Sequence, residues 1–151
     1  MSGNTVTLHR VIKTTPERLY RAFIEPEAMV KWFPPHGFTG KVHSIDVRQG
    51  GGYAMSFTNF TTGKSHSFRG TYLELKPNEL IRYYDEFDDP ALPGQMHITI
   101  RLKPVLIGTE LTIEQSGIPA SIPVEFCYVG WQESLQLLAH LTEPEIPDQD
   151  G

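Results

Sequence analysis

The sequence predicts an α+β domain in which a curved antiparallel sheet of six to seven strands wraps around one long C-terminal helix. Three observations predict it. Between residues 41 and 116, strand-like runs alternate with turn residues at short intervals, and the period of two is clearest in Met96, Ile98, Ile100 and Leu102 and in Leu111 and Ile113. The connections are too short for the crossovers that parallel strands need, so these strands join as an antiparallel meander. After Pro123 the apolar period becomes helical. A helix of about 20 residues is about 30 Å long, enough to cross a whole sheet.

Along the chain, Val6 and Leu8 alternate with Thr5, Thr7 and His9, and the aliphatic stem of Arg10 continues the apolar side, as in a strand with one wet face over 5 to 12. Thr15-Pro16-Glu17 then places a capping hydroxyl, a proline at the first helical position and an acid in the first turn. Leu19, Tyr20 and Phe23 share the inner face of that helix. Pro26 stops it before a second short helix carrying Ala28, Met29 and Trp32, which ends at Pro34, Pro35 and Gly37. Breaks at Gly50-Gly51-Gly52, Thr62-Gly63-Lys64, Pro77-Asn78, 88 to 94 and 104 to 108 delimit six strands: 41 to 48, 52 to 59, 65 to 75, 79 to 87, 95 to 103 and 109 to 116. In the last helix Cys127, Trp131, Ser134, Leu138 and Leu141 form one stripe, with Val124, Gly130 and Leu137 at its edges. One domain over 1 to 142 and an acidic flexible tail over 143 to 151 follow from this division.

Composition narrows the function classes. The chain has 151 residues, 39% of them apolar and 11% aromatic, which supplies the bulky groups of a core or a lined pocket. A net charge of -5 arises from scattered acids, and no Lys/Arg run offers phosphate backbones a footprint, so nucleic acid is not an expected partner. The single cysteine, Cys127, excludes an intrachain disulfide and thiol-rich zinc sites. The N-terminal residues lack the pattern of a secretion signal and no 18-residue apolar run occurs, so a cytoplasmic protein without membrane insertion is expected.

In this order of elements, only the last helix can cover the concave face of the sheet, which is the helix-grip outline. Several segments then resemble the START-like (SRPBCC) superfamily, and within it the AHSA-type domain, homologous to the C-terminal part of the heat-shock-protein-90 ATPase activator. They are Thr15 to Phe23 with Pro26-Glu27 and Lys31-Trp32-Phe33; Gly51-Gly52-Tyr53; Arg69-Gly70-Thr71-Tyr72; Pro77 to Ile81; and Gly108 to Thr112 leading to Gly130-Trp131. The likeness spans about nine tenths of the chain. It implies a helix-grip fold and a function among cavity-type lipid or polyketide binders, aromatase and cyclase enzymes, stress proteins and regulatory partners. The activator itself carries a further N-terminal chaperone-binding domain, whereas this chain begins directly with a strand, so a chaperone partner is the doubtful member of that set.

If the strand registers run as counted, a pocket between sheet and helix is lined by Trp32, Tyr53, Met55, Phe57, Phe68, Tyr72, Tyr84, Met96, Ile98, Leu111, Ile113, Cys127 and Trp131, with Gly130 giving room and Ser134 a hydroxyl. Such a lining suits a small hydrophobic or aromatic molecule, lipid- or polyketide-like, and the leading expectation is a binding module that needs no cofactor. An enzyme of cyclase, aromatase or hydrolase type in the same cavity is the alternative, and an interaction or co-chaperone-like module, as a possible homodimer, is a third. For acid or base chemistry Glu86 and Glu114 are nearest by strand position, but Glu114 points outward by parity with Leu111 and Ile113, which leaves no named base.

Other motifs carry less. His9, His36, His43, His66, His97 and His140 form no metal spacing, and Cys127 on an apolar stripe reads as a core thiol. Thr62-Gly63-Lys64-Ser65 lacks the first glycine of a phosphate loop, and Asp85-Glu86-Phe87-Asp88-Asp89 lacks calcium-loop spacing.

Overall fold

The protein was analysed as a computed structural model that describes residues 4–148. The last three residues of the expected tail, 149 to 151, lie outside the described residues. The elements follow the predicted order: β1 (Val6–Ile12), α1 (Pro16–Ile24), α2 (Pro26–Trp32), β2 (Phe38–Ile45), β3 (Gly52–Asn59), β4 (Ser65–Lys76), β5 (Leu80–Phe87), β6 (Met96–Val105), β7 (Gly108–Ser116) and α3 (Val124–Thr142). All strand pairs are antiparallel, and the sheet order is β1-β7-β6-β5-β4-β3-β2. The meander from β2 to β7 is thus completed by β1 beside β7, and α1 and α2 carry the chain from one edge of the sheet to the other. This is an α+β helix-grip fold, a seven-stranded antiparallel half-barrel with a helix along its concave side.

Two irregularities help the sheet to curl. The register shifts between Val42 and Ser44 against β3, and between Tyr72 and Glu74 against β5. Each inserts one unpaired residue, which bends its strand and increases the local twist. The second one turns Leu73 outward, 38% exposed, and leaves Tyr72 buried beneath. β2 lies a few residues before its expected span because Phe38 pairs with Asn59 at one end and Ile45 with Tyr53 at the other. The expected strand residues 46 to 48 belong instead to the turn closed by the Asp46 N–H on the Gly52 carbonyl.

The core forms where the concave face meets the helices. Thr15 caps α1 through its side-chain oxygen, which accepts from the Arg18 N–H, and Leu19, Tyr20, Ala22 and Phe23 are buried. From α2, Met29 and Trp32 are fully buried, and the Trp32 indole N–H donates to the Ala22 carbonyl at 2.8 Å, fixing α2 on α1. Arg18 then ties α1 to the end of α3 by donating to the carbonyls of Thr142 and Pro144, while Glu143 accepts from the Lys13 N–H. The expected tail is therefore held at its first two residues. Among the described residues no helix is long and apolar enough to cross a membrane.

Candidate functional site

The buried residues of α3 are Ser134, Leu135, Leu138 and Thr142, all in the C-terminal half of the helix. The N-terminal half stands off the sheet, and a cleft of about 210 Å³ lies beneath it. Two hydrogen bonds hold the helix at this height. The Ser134 hydroxyl donates to the Phe33 carbonyl at 2.9 Å, and the Trp131 indole N–H donates to Gln115 Oε1 at 2.8 Å. Gln115 in turn reaches the Met96 sulfur through its amide nitrogen, so this wall is set by polar contacts inside an apolar frame.

Of the expected lining residues, Trp32, Phe57, Phe68, Met96, Cys127, Gly130, Trp131 and Ser134 line this cleft. Tyr53, Met55, Tyr72, Ile98, Leu111 and Ile113 face the same side of the sheet but are buried in the solid core below it. Tyr84 is a correction. It lies on the opposite face of β5, where its ring meets that of His97 with centroids 5.6 Å apart. The inward positions of β5 are Ile81, Tyr83, Asp85 and Phe87, set by pairing of Ile81 with Ile100, Tyr83 with Ile98 and Asp85 with Met96. Glu86 therefore shares the outer face with Tyr84, and Glu114 is exposed on β7 as its parity requires.

Sequence reasoning missed Phe33, Pro35, Tyr83, Asp85, Phe87, Gln115 and Ile122. For Gln115 a signal was present, since it continues the alternation of Leu111 and Ile113. For β5 the signal was ambiguous: Leu80 and Ile81 are adjacent and both apolar, so either parity offered an apolar start, and both prove buried.

Asp85 gives the cleft its chemistry. The Tyr53 hydroxyl donates to Asp85 Oδ1 at 2.5 Å, and that is the one side-chain hydrogen bond to this carboxylate among the described residues. Room for the pair comes from Gly70, which lies opposite both residues in the ladders. A Cβ at Gly70 would stand 2.5 Å from the Tyr53 ring and 2.8 Å from Asp85 Oδ1, contacts no side chain tolerates. Burial pushes the Asp85 carboxyl from its ordinary 3.8 up to about 7, against the opposing effect of the Tyr53 hydrogen bond. Burial, reinforced by the adjacent Asp85 charge, also raises the phenols of Tyr53, Tyr83 and Tyr72. Burial raises the thiol of Cys127 on the opposite wall as well, which favours its protonated form.

The rest of the wall is aromatic. Trp32 contacts Phe33 edge to face at 4.4 Å between centroids, and Phe57 contacts Phe68 at 4.9 Å. At Gly130, which lines the cleft, a Cβ would meet nothing within 4 Å, so this glycine does not serve close packing.

The comparisons with known proteins agree with this fold. The family model described as Activator of Hsp90 ATPase homolog 1-like protein matches residues 13–143. No curated protein matches the sequence. Among solved structures, protein CV1439 from Chromobacterium violaceum is 55% identical, with a TM-score of 0.93 over 94% of this chain and 99% of that one. Protein NE0264 from Nitrosomonas europaea is 21% identical with a TM-score of 0.79, over 93% and 95% of the two chains, a likeness of fold alone. A fold of this kind is that of a ligand-binding or co-chaperone-type domain. With that match over most of its length, the chain belongs to the Activator of Hsp90 ATPase homolog 1-like family, as an AHSA-type member of the START-like superfamily.

Proposed function

We propose that this protein binds a small apolar or aromatic molecule in the cleft beneath the first half of α3. The observation that carries this reading is the cleft itself: it has aromatic walls, and one half-buried carboxylate, Asp85, lines it. Apolar walls that face water lose that exposure when an apolar ligand covers them, and the ligand gains dispersion contacts with the rings. Its volume of about 210 Å³ lies below the usual range for drug-sized sites, yet exceeds the roughly 150 Å³ that accommodates benzene. A single ring with a short substituent matches that space, and a long lipid chain would project through the mouth.

The test exploits the open position at Gly130. Small molecules extracted from the purified native protein are identified by mass spectrometry, and the binding of a single-ring probe is followed through the fluorescence of Trp32 and Trp131, which both line the cleft. Gly130→Leu adds bulk to the cleft lining and should lower probe affinity at least about tenfold while the unfolding transition stays in place or rises, since leucine suits a helix interior better than glycine. Equal binding by the variant would place the probe elsewhere and defeat this reading.

A second reading is favoured by one specific feature. A carboxyl raised to about 7 is suited to proton transfer at neutral pH, so Asp85 supplies a cyclase- or hydrolase-type enzyme with a general base. Asp85→Asn would then reduce turnover of a ring substrate by about 100-fold or more. Chemically unchanged ligand after prolonged incubation would dismiss the enzyme and leave the binder.

A further inference from the structure

Asp85 is the one acid lining the cleft, and no Lys, Arg or His lines it among the described residues. The titratable groups gathered around Asp85 are Tyr53 from β3, Tyr72 from β4 and Tyr83 from β5, with Cys127 from α3 on the far wall. All four are neutral near pH 7. The ionised carboxylate, half-buried at the cleft wall, is therefore left without a counter-charge from the protein. Oδ1 is engaged by Tyr53, while Oδ2 has no hydrogen-bond partner among the described residues.

The walls have a matching bias. Rings of Trp32, Phe33, Phe57, Phe68 and Trp131 surround the space, and aromatic faces attract cations. Resting on the binding reading above, we infer that the cleft is selective for an organic ammonium: one compact ring with a short arm whose protonated amine reaches Asp85.

Each feature excludes a competitor. A carboxylate-bearing ligand, such as a fatty acid, would place a second negative charge in the cleft with no basic side chain to receive it. A neutral hydrocarbon fills the same volume but leaves the carboxylate unpaired. The ammonium does both, and its N–H groups donate to the open oxygen. Gly70 gains a purpose from this reading, because a side chain there would displace the Tyr53 ring and Asp85 Oδ1, the contact that holds the carboxyl from one side and leaves the other open.

The experiment compares three probes of nearly equal shape by isothermal titration calorimetry: benzylamine, ethylbenzene and phenylacetate. At pH 8 benzylamine should bind at least about tenfold tighter than ethylbenzene, with phenylacetate weakest. Asp85→Asn should bring benzylamine down to the affinity of ethylbenzene. Should that variant fail to fold, the native protein still decides. Between pH 8 and pH 6 Asp85 takes up a proton, so benzylamine affinity should fall about tenfold while ethylbenzene affinity holds steady. Equal binding of benzylamine and ethylbenzene, a flat pH profile, or tighter binding of phenylacetate would overturn the ammonium preference and leave the cleft a binder of apolar rings. Failure of all three probes to bind would overturn it together with the binding reading.

Discussion

A buried tyrosine ordinarily satisfies its hydroxyl, and in this core two neighbours differ on that point. Tyr53 donates to Asp85, whereas the Tyr72 hydroxyl is buried and has no partner among the described residues. An unpaired buried hydroxyl costs about 1–3 kcal/mol in desolvation, so Tyr72→Phe should leave stability unchanged or raise it by about 1 kcal/mol in urea unfolding. A clear loss of stability would mean that the hydroxyl has a partner in solution. Gly70→Ala should act in the opposite direction. Its methyl group overlaps the Tyr53 ring, and overpacking of this kind costs about 1–3 kcal/mol. Displacing Tyr53 also removes its opposing effect on Asp85, so the carboxyl of the variant should titrate above that of the native protein when followed by carbon-detected NMR.

Between elements, α3 behaves as a beam fixed at one end. Leu135, Leu138 and Thr142 anchor the second half, and Arg18 from α1 holds the terminus. The first half carries Phe126, Tyr128 and Val129 in exposed positions and no buried residue. The Trp131 to Gln115 and Ser134 to Phe33 hydrogen bonds mark where the anchored part begins. Ser134→Ala should cost about 1 kcal/mol in global stability. It should also speed amide exchange over residues 124 to 133 more than over 135 to 142, because local opening needs the fewest contacts broken there. Uniform acceleration along the helix would show that both halves open as one unit. Much of this element is legible in the sequence: the stripe of Cys127, Trp131, Ser134 and Leu138 faces inward as its spacing predicts. The gap under its first half is not legible, since the height of a helix above a sheet depends on side chains from α2 and β7 that are remote in sequence.

At the scale of the whole molecule, the half-buried carboxyl of Asp85 links folding to pH. Asp85 has a folded pKa of about 7, above the 3.8 of an exposed aspartate, so the native state holds a proton that the unfolded chain releases. Stabilisation from this group is complete below about pH 4 and is lost as pH rises through 7. Raising pH from 5 to 8 should thus cost on the order of 2–3 kcal/mol at this site, and Asp85→Asn should remove that part of the slope in urea titrations. Parallel curves for the two proteins would show that Asp85 is hydrated in the native state. The order of strands and helices, the antiparallel meander, the inner faces of β6 and β7 and the family were all open to reading from the sequence. The first three depend on periodicity or turn chemistry carried by neighbouring residues, and the family on the segments that carry its resemblance. The tertiary structure alone decided which parity of β5 faces inward, exchanging Tyr84 and Glu86 for Tyr83 and Asp85. It alone showed the hollow that Gly70 leaves for the Tyr53–Asp85 pair. Facing and free volume are set by strand register and by side chains brought together from distant segments, and no local pattern in the chain encodes where those segments meet.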